Sequence, residues 1–199
     1  VTDWPAALRG VTETVVTTLG PNDRWNAAAL GVHAPRSDAD GGSPATATTW
    51  GRTRTRGNFE RRGEGYVQFT TDPVLFVRAA LSVHETDDPV LNAADAWTRV
   101  TVERVDAGES DGTEWVEWAL TPVEARVRRE SVPTTNRGYY AVVGATVAAS
   151  RLDVPAYDEE TLRERLDYFA DVVERCGGDR EREAMALVAS YSAYENESF

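Results

Sequence analysis

Apolar positions along the chain follow two periods. Up to about residue 130 they recur every second residue, in short runs separated by turn formers. Beyond that point they recur every three or four. β-branched "VTETVVTTL" (11–19) leads into the turn "PND" (21–23), and "RWNAAALGVH" (24–33) reads as a second strand. "PRSDADGGSP" (35–44) is a loop of turn formers. Threonine-rich "ATATTWGRTRT" (45–55) predicts a third strand, "GNFERRGEG" (57–65) a turn or one short helical stretch, and "YVQFTT" (66–71) a fourth strand. Asp72 as N-cap and Pro73 at the first helical position open a short helix over "DPVLFVRAAL" (72–81). "AWTRVTVERVDA" (96–107) alternates again, "GESDG" (108–112) turns the chain, and "TEWVEWALTPVEARVRRE" (113–130) is a long strand in which Pro122 marks a bulge or an edge.

The remainder is helical. "NRGYYAVVGATVAASRL" (136–152) starts from the candidate caps Thr135 and Asn136, and its Gly144, Ala145, Ala148 and Ala149 form a smooth side for close packing. "YDEETLRERLDYFADVVERCGG" (157–178) sets Leu162, Leu166, Phe169 and Val173 on one stripe, with Asp158 at its start and Gly177–Gly178 at its end. A very short turn leads to a third helix over 179–195, which predicts an antiparallel pair. The fold expected is a mainly β protein with about six antiparallel strands in a small barrel over residues 1–133, and a helical segment over 134–199 packed on it.

Composition narrows the setting. The net charge is −12, lysine and isoleucine are absent, and all 21 basic residues are arginine. Such a chain suits molar salt, where the Debye length is about 3 Å and surface acids scarcely repel one another. The acidity then serves solubility, and no broad basic face speaks for nucleic acid. No apolar run approaches a membrane span, and "VTDWPAALRG" lacks the layout of a signal peptide, so a cytoplasmic protein is expected. Cys176, alone of its kind and at helical spacing from Phe169 and Val172, is expected as a small buried apolar residue. Two histidines, His33 and His84, are too few for a histidine-rich metal site, and no metal ligand set is assigned.

Candidate chemistry sits in three segments. No nucleophile elbow, P-loop, dinucleotide fingerprint or zinc spacing is present, so any catalysis would come from a bound cofactor, and no catalytic side chain is assigned. Five arginines fall within residues 52–62. As a strand, this stretch would put Trp50, Arg52, Arg54 and Arg56 on one face and Thr53 and Thr55 on the other. "RTRTRGN" offers charge, hydroxyls and amides to a phosphate; an arginine ladder paired with neighbouring acids explains the same residues. In "RWNAAALGV", small residues around Asn26 would let a flat ring approach backbone amides, or would form an ordinary core strand. In "TTNRGYY", a helix start beside Arg137 suits an anion, or plain capping.

"NAAALGV", "GRTRTRGNF", "GYVQFTTDPVLFVRAAL" and "NRGYYAVVGATVAASRL", in that order, resemble the mainly archaeal family named domain of unknown function 447, within the FMN-binding split-barrel superfamily. With the composition, this points to a halophilic archaeon. The resemblance implies a six-stranded antiparallel split β-barrel of Greek-key type with C-terminal helices, binding FMN as a homodimer with flavin near the interface. It implies that Asn26, Ala27 and Ala28 border the ring and that Arg54, Thr55 and Asn58 (a "T-x-x-N" spacing) hold the phosphate, with Arg52 and Thr53 beside them. Gln68 or Thr70 would lie by the ring or ribityl chain, and Arg137 would close the phosphate site. Ala29 and Gln68 depart from the proline and asparagine common in related flavin reductases. A regular strand cannot aim Arg54 and Thr55 at one phosphate, so either the strand is bulged, or it ends near Thr53, or only one of the two binds. The function implied is a flavin-dependent oxidoreductase; a non-catalytic flavin-binding or dimerisation module is the alternative.

Overall fold

The computed structural model describes residues 3–35, 44–132, 134–192 and 194. The loop expected at 35–44 lies mostly outside these residues, as does the last position of the predicted third helix. The chain forms two compact units, one of Val1–Thr71 with His84–Glu130, the other of Asp72–Val83 with Ser131–Phe199.

The first unit is a closed six-stranded antiparallel barrel. Its strands are β1 (Val11–Leu19), β2 (Trp25–His33), β3 (Ala45–Trp50), β4 (Glu64–Phe69), β6 (Ala96–Ser110) and β7 (Thr113–Val127). They pair in the circuit β1-β4-β6-β7-β3-β2, and β1 pairs with β2 to close it. A seventh, three-residue strand, β5 (His84–Thr86), adds to β2 at Trp25–Ala27; the sequence pattern is too short there to show it. Alternate residues fill the interior: Val16, Leu30, Val32, Val67, Val100 and Leu120 are buried in one cluster. At about 1.5–3 kcal/mol for each large apolar side chain removed from water, this interior dominates the unit's stability.

Local chemistry explains the turns. Asp111 and Gly112 have φ of 50° and 77°, the left-handed pair that a two-residue hairpin needs between β6 and β7. The β6–β7 register slips between Arg99 and Val100, which pair with Glu124 and Pro122, so Val123 is the extra residue beside the proline that marked a bulge.

The third strand is shorter than its pattern predicts. It ends at Trp50, because Gly51 turns the backbone left-handed at φ 68° and Thr53 then caps helix α1 (Arg54–Arg62). The alternation of Trp50, Arg52, Arg54 and Arg56 on one face therefore does not exist. Arg52 lies in the turn, and Arg54 and Arg56 lie on the helix. Gly63, at φ 65°, ends α1 by donating its N–H to the Phe59 carbonyl.

The second unit packs α2 (Pro73–Leu81), α3 (Arg137–Ala149), α4 (Glu159–Cys176) and α5 (Asp179–Tyr191). Their buried cluster includes Val77, Val142, Leu162, Leu166, Val173 and Val188. Asp72, Asn136 and Asp158 each accept backbone N–H groups at their helix starts. The smooth side of α3 is used as expected: a Cβ on Gly144 would stand 2.5 Å from the Phe169 ring. α5 packs chiefly on α2, not on α4 as the short turn suggested. Extended backbone at Gly177 re-aims the chain, and Arg180 grips both Asp72 oxygens at 2.7 Å. Cys176 is only partly buried, because it is the last residue of α4 and not on its core stripe. No helix among the described residues is long and apolar enough to cross a membrane.

Candidate functional site

Helix α1 closes the barrel end where β1 finishes and β4 begins. Phe59 enters the barrel core and meets Trp118 edge-on at 5.4 Å. Gly65 permits this approach, since a Cβ there would stand 3.1 Å from Phe59 and 3.2 Å from the Thr17 carbonyl. Asn58, 3% exposed, donates its amide to Thr18 Oγ1 at 2.9 Å and accepts from Arg61 at 2.9 Å. Thr18 is the cross-strand neighbour of Asn26. Thr55 lies one turn before Asn58 on the same helix face. Asn26, Thr55 and Asn58 are thus gathered at one end of the barrel, although they come from separate segments.

Two of these three have side-chain polar groups that the described residues leave unused. Asn26 is 6% exposed and Thr55 4%. Among the described residues, neither side chain has a hydrogen-bond partner. Among the described residues the buried side-chain polar atom without a partner is the Thr98 hydroxyl, so the Asn26 amide and the Thr55 hydroxyl keep some contact with solvent, where a ligand could meet them.

The start of α1 adds electropositive character. Its first turn holds no acid, and the Thr53 hydroxyl accepts only the Arg56 N–H, at 3.2 Å, so the N–H groups of Arg54 and Thr55 stay available. Arg54 is more than half exposed and pairs with Glu85 at 2.7 Å. Glu85 also accepts from Asn22 at 3.3 Å, tying β5 and the β1–β2 turn to the helix start. Arg56 is held by Glu60 at 3.2 Å and Glu114 at 3.1 Å, and these contacts, Glu60 first, raise its pKa. Arg52 is highly exposed, 3.8 Å from Glu114, and Arg62 is 3.9 Å from Asp23. Most of the arginine cluster is therefore matched to acids, and Arg54 is the member placed at the helix start. Sequence reasoning missed Glu85, because "HETDDP" reads as an acidic surface turn.

The backbone of β2 opens beside Asn26. β5 pairs with Trp25–Ala27 and β3 with Val32–His33, so Ala28–Gly31 have a strand partner on one edge only, β1. Asn26 and Ala28 share the inward face with Leu30, while Ala27, 1% exposed, faces the other way.

The other sequence candidates do different work. Gln68 is fully buried. Its amide donates to Thr17 and to the Pro89 carbonyl, both at 3.0 Å, and accepts from the Leu91 N–H at 2.7 Å. Thr70 donates to the Ala93 carbonyl at 2.9 Å. Both anchor the segment after β5. Arg137 is the exposed first residue of α3, in the helical unit, where Asn136 supplies the cap. Tyr140, its near neighbour, is 58% exposed.

A closed barrel capped by one helix and followed by further helices is the split-barrel architecture. The chain belongs to the DUF447 family: residues 12–129 match the Protein of unknown function (DUF447) N-terminal domain, and residues 136–190 match Protein of unknown function (DUF447). It is similar to an FMN-bound DUF447 protein of Methanosarcina mazei, at 25% identity and TM-score 0.75, over 93% of this chain and 96% of that one. It is more distantly similar to a Thermus thermophilus FMN-binding protein, at 14% identity and TM-score 0.40, over 60% of this chain and 72% of that one. Flavoredoxin of Methanosarcina acetivorans also matches, at 14% identity and TM-score 0.41, over 62% and 72% of the two chains.

Proposed function

We propose that the barrel unit binds FMN at the α1 end and serves a flavin-dependent oxidoreduction in a salt-adapted archaeal cytoplasm. The observation that carries this reading is a pair of polar side chains, Asn26 and Thr55, in residues only 6% and 4% exposed, which make no hydrogen bond among the described residues and keep their polar atoms open to solvent beside a helix start with no acid. The M. mazei relative of the same family is FMN-bound, which supports the choice of ligand.

The residues present fit the group. A phosphate needs N–H and O–H donors with a cation close by. The Arg54 and Thr55 amides, the Thr55 hydroxyl and the Arg54 guanidinium supply these, with Arg52 and Thr53 at the margin. Arg54 would exchange Glu85 for the phosphate. A heterocycle's polar edge needs amides at close range, and Asn26 with the open backbone of Ala28–Gly31 offers them; small Ala27 and Ala28 leave room. Asn58 fixes α1 against β1 and so holds Thr55 in place. Bound FMN supplies hydride or electron transfer. The chain's own part is to bind, orient and shield it, the flavin lying near the interface of a homodimer.

The test is direct. Protein purified in high salt should be yellow or should bind added FMN at micromolar concentration; no absorbance change on titration refutes the reading. The Arg54–Glu85 ion pair favours a second reading, in which the arginines only balance acids and the barrel is a carrier or a scaffold. Anaerobic addition of a reduced nicotinamide nucleotide separates these: bleaching of bound flavin supports the oxidoreductase, and bound flavin that stays oxidised supports the carrier.

A further inference from the structure

A groove of about 600 Å³ lies on the outer side of the barrel unit, between the segment after β5 and the facing ends of β6 and β7. This is within the range of small-molecule sites. Its accessible lining is mostly polar, with donors from Arg126, Arg128 and Asn92, and Trp97, Val90 and Val127 add a smaller apolar part.

Charge and rigidity mark it as built. In a chain of net charge −12, Arg126 near the end of β7 and Arg128 just past it both line this groove. Among the described residues, Arg126 has no ion-pair or hydrogen-bond partner. Arg128 gives one N–H to the Leu91 carbonyl at 2.8 Å, which leaves most of its fork free. Asp88 is the lining acid, set against these two cations. The wall does not depend on loop chance. Gln68 holds Pro89 and Leu91, Thr17 also donates to Pro89, and Arg129 donates to the Asn92 carbonyl while pairing with Asp95. Trp97 is braced by Tyr66, with ring centroids 5.6 Å apart.

We propose that this groove binds a small organic anion with a flat apolar body, of the aromatic carboxylate class. The guanidinium forks would take the carboxylate, and the indole with its valine neighbours would take the ring. An inorganic anion lacks the part that uses the Trp97 wall, and a neutral aromatic lacks the part that uses Arg126. The proposal does not rest on the flavin reading.

Calorimetric titration of the full chain with 1-naphthoate, with and without added FMN, tests it. We expect millimolar or tighter binding, weakened roughly tenfold by Arg126→Ala and again by Arg126→Gln, and roughly tenfold weaker binding of 1-naphthalenemethanol. FMN affinity should be the same in Arg126→Ala and the parent chain. Three results would overturn it: no naphthoate binding at millimolar concentration, equal affinity for the neutral alcohol, or a parallel loss of FMN binding in Arg126→Ala, which would make the groove part of the cofactor site. Failure of FMN to bind, with naphthoate still bound, would remove only the flavin reading.

Discussion

Thr55 and Asn58 share a sequence motif, but Asn58 is hydrogen-bonded to Thr18 and Arg61 while Thr55 has no such bond among the described residues, so single substitutions should separate them. Among the described residues Thr55 Oγ1 has no hydrogen-bond partner, so Thr55→Ala breaks no hydrogen bond seen there. It removes one buried methyl, at about 0.8 kcal/mol, and regains part of that through alanine's better helix propensity, so the stability change should stay within about 1 kcal/mol. Its effect should fall on the cofactor. A hydrogen bond to a charged phosphate is worth about 1.5–3 kcal/mol, or roughly a 10- to 150-fold rise in the FMN dissociation constant. Asn58→Ala removes the bonds to Thr18 and from Arg61 at a position 3% exposed. At about 1 kcal/mol each, plus the cavity left behind, the loss should be about 2–4 kcal/mol. For a chain of this size that lowers Tm by roughly 4–16 °C. Thermal melts and FMN titrations at one fixed salt concentration read both quantities. If Thr55→Ala keeps its full FMN affinity, the phosphate is not at the start of α1. If Asn58→Ala melts with the parent chain, the helix is not anchored through Thr18.

Three further outcomes follow from the packing and the charges. Gly138→Ala should lower the melting temperature of the helical unit by several degrees, because the new Cβ would stand 2.5 Å from the Gly177 Cα, a backbone atom that cannot swing aside; an unchanged melt would mean that α3 and the α4 end are not in contact. Gln68→Leu should cost about 2–4 kcal/mol in chemical denaturation, since the Leu91 N–H loses its partner in a buried place; a neutral variant would show that the segment is held by its other bonds. The Asp158 carboxyl, hydrogen-bonded first by the Thr161 side chain and then by its N–H, has its pKa lowered in the folded state. Its contribution is therefore present above the unfolded carboxylate pKa and is lost as pH falls through the depressed folded value. Asp158→Asn should flatten that acid limb in a pH series of melts, and an identical limb would contradict the cap.

The two periods of the sequence carried the barrel strands and the helices because burial imposes them: one side of a strand and one stripe of a helix must be apolar. What the periods could not show was where a local signal overrides them. "ATATTWGRTRT" alternates well enough to pass for one strand, yet Gly51 can take φ 68° and Thr53 can cap, and together they turn the last residues into a helix. Both signals were in the sequence, masked by threonine's preference for strands. β5 was illegible for another reason: three half-buried residues carry no period. The grouping of Asn26 with Thr55 is a tertiary fact, set by the Thr18–Asn26 register and the Asn58–Thr18 bond, and no spacing along the chain encodes it. The groove at Trp97 was hidden in the same way, since Arg126 and Arg128 read as ordinary polar positions of a long strand until the β6 register set Trp97 opposite Arg126.

The arginine cluster makes most sense when distance is compared with screening. At about 1 M salt the Debye length is about 3 Å, so a cluster cannot attract a phosphate from afar and its far members add little to a site. Direct contacts survive. Arg54 with Glu85 at 2.7 Å and Arg56 with Glu114 at 3.1 Å are short enough to keep their geometry. In such a medium an arginine matters for the group it touches, and the number of arginines nearby is a poor guide to affinity. The acid partners then act as place-holders: Glu85 keeps the Arg54 fork oriented at the start of α1, close to the helix amides a phosphate would use. If FMN takes Arg54 at its phosphate, the cost of that arrangement is competition, since it must then displace a carboxylate already in contact. Glu85→Gln separates the two effects. If orientation dominates, the variant binds FMN more weakly; if competition dominates, it binds more tightly and depends less on salt. An affinity and salt slope identical to the parent chain would mean that Arg54 does not reach the phosphate, and would leave the helix amides and Thr55 to hold it alone.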